Sequence, residues 1–477
     1  MRAYLSPKRR LTLAESAYIA CSRARLSARS SQAANILSVA KGSAIVNAQV
    51  SAASAAKPSV VLSCIQYLLL KLADCIPKAV RRDEIFVAKI LQQKFCHEVA
   101  YLWYNMRMKL QNPFLTSGYA GPDYFCDRID ETKKLIAAIE NDRNVTLIAP
   151  RRYGKTGLIS NVFGQLPPGF IGIYIDIYST KNLAGFAKML ASAVIGALDG
   201  RMEKAIAALG KFFRNCRPTA TPQSDGTVKF SFDITADNAE ASLKDVFDYL
   251  KARKKRVVIA IDEFQQVREF PEEGVEALIR GYIQFIPWVR FIFAGSRRHL
   301  MAEMFVMPQG AFYQSTQIMN LGVISPDKYL AFAKGFFNAK GWNLDDGVFN
   351  RLYRRFDGVT WYLQAVLNKV WETRTSLLDD AQVDKAVVEL CEERALVYHD
   401  LLVAQNGASR EVVVAIARSG IVAEPTSAGF LAATGLGGSS TVRAALKDLA
   451  AKDIVYKTDD GWTVYDRLFA EYLRSRN

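Results

Sequence analysis

The strongest constraint on the fold of this 477-residue chain is an apolar segment that runs into a glycine-containing turn and then into a helix. Residues 144–150, NVTLIAP, have the apolar character of a short buried strand, and residues 156–163 that of a packed helix. The turn between them reads RRYGKT. This order is typical of α/β proteins, in which apolar strands alternate with helices around a parallel sheet.

The turn at residues 149–156 has the composition of a phosphate-binding loop (P-loop). In such a loop, backbone N–H groups and a helix N-terminus surround the phosphates, a lysine reaches the β- and γ-phosphates, and a hydroxyl binds Mg²⁺. The usual first glycine is replaced here by an alanine. We predict that ATP and Mg²⁺ bind here, with Thr156 as a metal ligand. The predicted binding residues are Ala149, Pro150, Arg151, Arg152, Tyr153, Gly154, Lys155 and Thr156.

Two adjacent carboxylates end a second apolar segment, RVVIAIDEF at residues 256–264. Acids at a strand end are by themselves more often solvated, but the preceding GKT turn favours a nucleotide site. We predict that Asp262 holds Mg²⁺ and that Glu263 polarises the attacking water.

A third apolar strand, at residues 289–298, ends in AGSRR. Its end is expected beside the γ-phosphate, with Ser296 as a polar sensor and Arg297 or Arg298 stabilising charge. Paired arginines after a strand are usually only solvated. The predicted catalytic residues are therefore Glu263, Ser296 and Arg297.

The pattern of apolar residues divides the chain into four parts. Residues 1–105 form a basic extension, and residues 106–324 alternate strands with helices, which predicts a parallel sheet. Residues 325–400 have apolar residues at three- and four-residue intervals, which predicts a helical lid domain. Residues 401–477 read as three helices and two short strands, which is the order of a winged helix. We predict an α/β, P-loop NTPase sheet followed by these two domains.

The extension at residues 1–105 has 15 basic and 5 acidic residues, and it accounts for most of the net charge of +15. It is compatible with an organellar transit peptide, with a basic arm for nucleic acid or anionic membrane, or with translation from an upstream start codon. We favour the last, because a chain beginning at Met106 or Met108 keeps every motif described above. We expect the extension to be disordered or dispensable.

Two further properties bear on localisation. No run approaches the roughly 18 consecutive apolar residues of a membrane-spanning helix, so no membrane association is predicted. The seven cysteines are widely spread and lack metal-ligand spacing. We therefore expect a cytoplasmic protein with free thiols.

Six segments together resemble the archaeal-type ATPases, a branch of P-loop proteins close to the STAND and AAA+ classes that also occurs in bacteria such as the Bacteroidetes. They are FCDRIDE, APRRYGKT, IAIDEF, FAGSRR, FDGVTWYLQ and the C-terminal VYDRLF. The resemblance implies that Arg128 and Glu131 lie over the adenine, although Asp127 replaces the family's glycine. It also matches Gly358 to the glycine before a family helix, with Thr360 in place of the usual proline.

The winged helix allows more than one function. Its predicted recognition helix, residues 439–451, carries Arg443 and Lys447, but residues 391–477 contain 10 basic and 11 acidic residues. Groove-binding domains normally have a basic face, so contact with another part of this chain or with a protein partner is expected as much as weak DNA binding. The overall function is expected to be a hydrolysing switch, the alternative being an ATP-stabilised regulatory or DNA-binding protein with negligible hydrolysis. Glu263 favours the first.

Overall fold

A computed structural model describes residues 110–199, 212–222, 228–374 and 377–476. The predictions for residues 1–105 lie outside the described residues. The strands preceding the predicted lid are β1 (Val145–Ile148), β2 (Phe170–Asp176), β3 (Arg217–Pro222), β4 (Val228–Asp233), β5 (Arg256–Asp262), β6 (Val289–Gly295) and β7 (Gln317–Asn320).

Five of these strands form one parallel sheet in the order β2-β5-β6-β1-β7. Strand β6 therefore separates β1, which precedes the loop, from β5, which precedes the carboxylates. Strands β3 and β4 form a separate antiparallel pair. Because parallel strands end at the same edge of the sheet, the ends of β1, β6 and β5 lie side by side there.

Both faces of the sheet are buried, as the apolar runs predicted. Along β5, Val257, Ile259 and Ile261 belong to one core cluster, and Val258 and Ala260 belong to another. The helices are α1 (Ile129–Glu140), α2 (Lys155–Phe163), α3 (Leu183–Leu198), α4 (Ala239–Arg253), α5 (Val275–Ile283) and α6 (Arg298–Phe305). Helices α1 and α2 cover the sheet face that carries Val258, and helices α3 to α6 cover the opposite face.

The predicted lid region is mainly helical. It contains α7 (Pro326–Ala339), α8 (Asp346–Arg355), α9 (Thr360–Glu372), α10 (Asp380–Glu392) and α11 (Ala395–Val403). Two short strands interrupt the region predicted to be helical: β8 (Asn343–Leu344) and β9 (Leu377–Leu378) form a two-residue parallel pair between helices. Local capping explains two helix starts: Asp345 accepts a hydrogen bond from the Val348 N–H, and Asp379 forms a capping box with Gln382.

The C-terminal part has the predicted winged-helix order. It comprises α12 (Gly407–Ser419), α13 (Ala428–Thr434), α14 (Ser439–Ala451), the antiparallel strands β10 (Val455–Lys457) and β11 (Trp462–Val464), and a final α15 (Arg467–Ser475). One cluster of buried side chains joins the lid helices to the winged helix. The exact domain boundaries stay a prediction. Over the described ranges, no helix is long and apolar enough to cross a membrane.

Gly358, in the turn before α9, gives a test of this packing. It has φ +66°, and a Cβ there would lie 2.3 Å from the Tyr353 hydroxyl oxygen, which donates to the carbonyl oxygen of Ile324 over 2.6 Å. Gly341 has a similar φ of +74°, but a Cβ there would meet nothing within 4 Å.

We expect Gly341→Ala to lower the free energy of unfolding by about 1–2 kcal/mol, which is the cost of a left-handed backbone for alanine. Gly358→Ala should cost about 1–3 kcal/mol more, because it also forces the Tyr353 hydroxyl aside. Urea denaturation of both variants measures the difference. Equal losses of unfolding free energy in the two variants would show that the Tyr353 hydroxyl can move aside at no energetic cost.

Candidate functional site

The loop after β1 turns sharply before α2 begins. Gly154, at the N-cap of α2, has φ +87°, and Arg152 also lies in the left-handed region, with φ +73°. Glycine adopts this conformation without steric cost, so Gly154 lets the chain enter the helix directly after the turn. The first N–H groups of a helix have no partner within it, so the start of α2 can bind an anion.

Lys155, the first residue of α2, is buried beneath this loop. Its side chain is 6% exposed, and its Nζ donates to the carbonyl oxygens of Ala149 at 3.0 Å and Pro150 at 3.4 Å. Burial lowers the pKa of Lys155, and the nearby carboxylates of Glu263 and Asp262 oppose this shift. A buried ammonium group that donates to loop carbonyls and faces two carboxylates fits the role of a phosphate-binding lysine.

The next residue connects the loop to the carboxylates. The Thr156 Oγ1 donates to Asp262 Oδ2 over 2.9 Å, and so does the Tyr174 hydroxyl from β2. The Glu263 N–H donates to Asp262 Oδ1 over 3.0 Å. Thr156 and Asp262, the two predicted metal ligands, are thus in direct contact. A hydroxyl and a carboxylate oxygen are the ligand types that Mg²⁺ prefers, so this pair fits the ion.

Glu263 follows Asp262 in the left-handed conformation, with φ +54°, so its side chain turns toward the neighbouring strand end. The Ser296 Oγ donates to Glu263 Oε2 over 2.6 Å, and the Gln265 Nε2 donates to the same oxygen. Burial would raise the pKa of Glu263, but the Lys155 ammonium and these two hydrogen bonds lower it. The carboxyl is therefore held as a carboxylate, which is the form that accepts a proton.

The structure does not bring Arg297 into this cluster. Its guanidinium lies 2.9 Å from Glu269 Oε1 and 3.5 Å from Asp453 Oδ2, the latter in the turn before β10. The role predicted for Arg297 in stabilising charge stays a prediction. Arg298 starts α6.

Arg128 lies at the start of α1 and is 3% exposed. Its guanidinium donates to Glu131 Oε1 at 2.8 Å, to the Tyr153 carbonyl oxygen at 3.2 Å and to the Gly322 carbonyl oxygen at 2.7 Å. These bonds tie the loop to the segment after β7. The adenine contact predicted for Arg128 and Glu131 stays a prediction.

The winged helix contacts the loop directly, through residues that the sequence analysis did not single out. The Arg151 N–H donates to the Tyr465 hydroxyl over 3.0 Å, and the Arg152 guanidinium lies 2.9 Å from Asp466 Oδ2. Arg152 also packs over Trp361 and bonds to the Tyr362 hydroxyl, both on α9. In the sequence, these residues are marked only by their place in two of the segments that resemble the ATPase family: Trp361 and Tyr362 lie in FDGVTWYLQ, and Tyr465 and Asp466 lie in VYDRLF.

The loop and the carboxylates after β5 line a cavity of about 310 Å³. The loop, Lys155, Asp262 and Glu263 line one part, and aromatic and polar side chains line the rest, among them Tyr119, Phe125, Trp361 and Gln364. A charged part with a phosphate-binding loop, continuous with a part rich in aromatic side chains, fits a nucleotide with its phosphates and base.

The sheet order, the loop with its buried lysine and the carboxylates at the end of β5 define a P-loop nucleotide-binding protein. Residues 125–366 match a family described as an ATPase domain predominantly from Archaea, and this chain belongs to that family. Residues 396–475 match a family described as a probable winged helix domain.

Among solved structures, the Walker-type ATPase PABY2304 of Pyrococcus abyssi is 16% identical, with a TM-score of 0.52 over 76% of this chain and 99% of that chain. The Aeropyrum pernix ORC2 protein, solved as ADPNP–ADP complexes, is 15% identical, with a TM-score of 0.46 over 76% and 97% of the two chains. At such identities the similarity concerns the fold alone. The comparison with curated proteins gives no match.

The position of Lys155 leads to a prediction about nucleotide binding. Lys155→Ala should weaken ATP binding by about 100-fold or more, because a buried charge-assisted contact to phosphate is lost. Asp262→Asn should have a smaller effect on affinity and raise the Mg²⁺ concentration needed for half-maximal binding. Calorimetric titration measures both, and Lys133→Ala, an exposed lysine on α1, is the control. Unchanged affinity in Lys155→Ala would place the phosphates elsewhere.

Proposed function

We propose that this protein binds ATP with Mg²⁺, hydrolyses it to ADP and phosphate, and uses this cycle as a molecular switch that changes the contact between the loop and the winged helix. Hydrolysis is supported above all by Glu263, a carboxylate held by two donors beside a phosphate-binding lysine.

In this proposal each residue has a separate task. Lys155 and the loop N–H groups bind the β- and γ-phosphates, and Thr156 and Asp262 hold Mg²⁺, which when bound neutralises phosphate charge. Glu263 orients the attacking water and accepts its proton. Ser296 keeps the Glu263 carboxylate in place from the end of β6, between the loop and the carboxylates.

The switch is supported by the contacts of Tyr465 and Asp466 with the loop. While the Tyr465 hydroxyl accepts from the Arg151 N–H, that donor is not available to phosphate. A ligand shifts a conformational equilibrium only if it binds the two states differently. Nucleotide should therefore favour the state in which this contact is released, and the winged helix would respond to occupancy of the loop.

A second candidate is DNA binding by α14, where Arg443 and Lys447 are exposed on the same face. The two basic residues suit phosphate contacts, but the nearly balanced charge of this region provides little general attraction. We therefore expect any DNA binding to be weak and strongly dependent on salt. A protein partner on the winged helix is equally compatible with the switch.

The hydrolytic role of Glu263 can be separated from binding. Glu263→Gln should lower turnover by about 100-fold or more while ATP affinity stays within about twofold, because the group acts mainly when water attacks. Steady-state phosphate release and calorimetry measure the two quantities. Glu273→Gln, an exposed acid ten residues further along, is the matched control and should keep both.

Wild-type turnover in Glu263→Gln would show that Glu263 is not the base. Tight ATP binding without any turnover in the wild type would contradict the proposed hydrolysis. It would favour the alternative function, an ATP-stabilised regulatory protein with negligible hydrolysis.

The proposed switch predicts that some substitutions strengthen ATP binding rather than weaken it. Tyr465→Phe removes one hydroxyl, and Asp466→Asn removes the ion pair to Arg152 while asparagine can still cap α15. We expect each change to tighten ATP binding about fivefold, since a competing contact worth roughly 1 kcal/mol is lost.

Titration with a fluorescent ATP analogue measures this gain, and Tyr472→Phe on α15 is the control. Weaker binding in Tyr465→Phe would mean that its hydroxyl helps to hold the nucleotide, and the competing contact would be refuted.

A further inference from the structure

Gln265 is a buried side chain in direct contact with Glu263. It lies two residues after Glu263 in the short 3-10 helix Phe264–Glu269 and is 3% exposed. Its Nε2 donates to Glu263 Oε2, the oxygen that also accepts from Ser296. No residue in the described ranges donates to Glu263 Oε1. One carboxylate oxygen is thus occupied twice, and the other is left for a ligand or water.

The orientation of the Gln265 amide is fixed by its surroundings. A carboxylate oxygen only accepts hydrogen bonds, so the Nε2 must face Glu263 and the Oε1 must point away. The Oε1 lies against Gly295, the last residue of β6, where a Cβ would come within 2.5 Å of it. That Cβ would also lie 2.4 Å from the Met301 sulfur. Glycine at position 295 therefore leaves the space in which this amide sits.

Burial of this amide is costly. The Gln265 Oε1 is shielded from solvent and has no hydrogen-bond partner in the part of the chain that the structure describes. An unpaired buried acceptor costs about 1–3 kcal/mol, so an apolar side chain of the same size would serve packing alone better. The benefit that accounts for a glutamine here is the hydrogen bond to Glu263.

We infer that Gln265 is a positioning residue for hydrolysis: together with Ser296 it fixes Glu263 Oε2, so that Oε1 is directed at the attacking water. The two donors come from different elements, one after β5 and one after β6, and together they restrict rotation of the carboxylate. A base held in one orientation needs no reorganisation when the proton moves. This inference rests on the proposed hydrolysis.

The test compares Gln265→Met with Gln266→Met. Methionine is close to glutamine in size and shape but cannot donate a hydrogen bond. Gln266, the next residue, donates instead to the Thr180 carbonyl oxygen over 3.3 Å. We expect Gln265→Met to lower kcat about tenfold with ATP affinity within about twofold, and Gln266→Met to leave both near the wild-type values. Gln265→Leu is the second variant if Gln265→Met does not fold.

A double-mutant cycle separates positioning from a structural role. If Gln265 acts through Glu263, Gln265→Met should cause little further loss of single-turnover rate when Glu263 is already Gln. The same tenfold loss in both backgrounds would overturn the inference, as would wild-type kcat in Gln265→Met. An active wild type with either of these results refutes only the role of Gln265. A wild type that binds ATP but never hydrolyses it refutes the proposed hydrolysis and this inference together.

Discussion

The arrangement of the site depends on one constraint, the hydrogen bonding of β6 between β1 and β5. The parallel register pairs Ile148 with Gly295 and places the end of β6 between the loop and the carboxylates. Ser296 can therefore reach Glu263, while Thr156 reaches Asp262 from the loop side. A sheet in which β1 and β5 were direct neighbours would leave no place for Ser296 between them. The chemistry of the site is thus a property of strand order as much as of residue type.

Much of this arrangement was predictable from the sequence because its signals are local. The apolar runs before Ala149 and Asp262 predict buried strands, and the GKT turn and paired acids predict phosphate and metal sites. Strand β7 was not predicted, because QIMN is only four residues long and alternates between half-buried and exposed positions at the sheet edge. The contacts of Arg152 with Asp466 and of Arg151 with Tyr465 join residues more than three hundred positions apart, and no local pattern encodes such pairs.

The phosphate-binding loop and the winged helix both contact the carboxylate of Asp466. Asp466 accepts from the N–H groups of Leu468 and Phe469, which caps α15, and also pairs with Arg152. The Tyr362 hydroxyl on α9 contacts the same carboxylate and accepts from the Arg467 N–H. Three elements from three parts of the chain thus share one small polar cluster. A change in the loop that moves Arg152 alters the electrostatic environment of a helix start in the winged helix.

The buried cluster shared by the lid and the winged helix limits how such a change could spread. Side chains as far apart in sequence as Phe349 and Phe469 belong to this one core. Separating the two parts would expose that apolar surface to water, at roughly 25 cal/mol for each Å². The winged helix is therefore not expected to separate from the lid. In the proposed switch, lid and winged helix would therefore move together as one body.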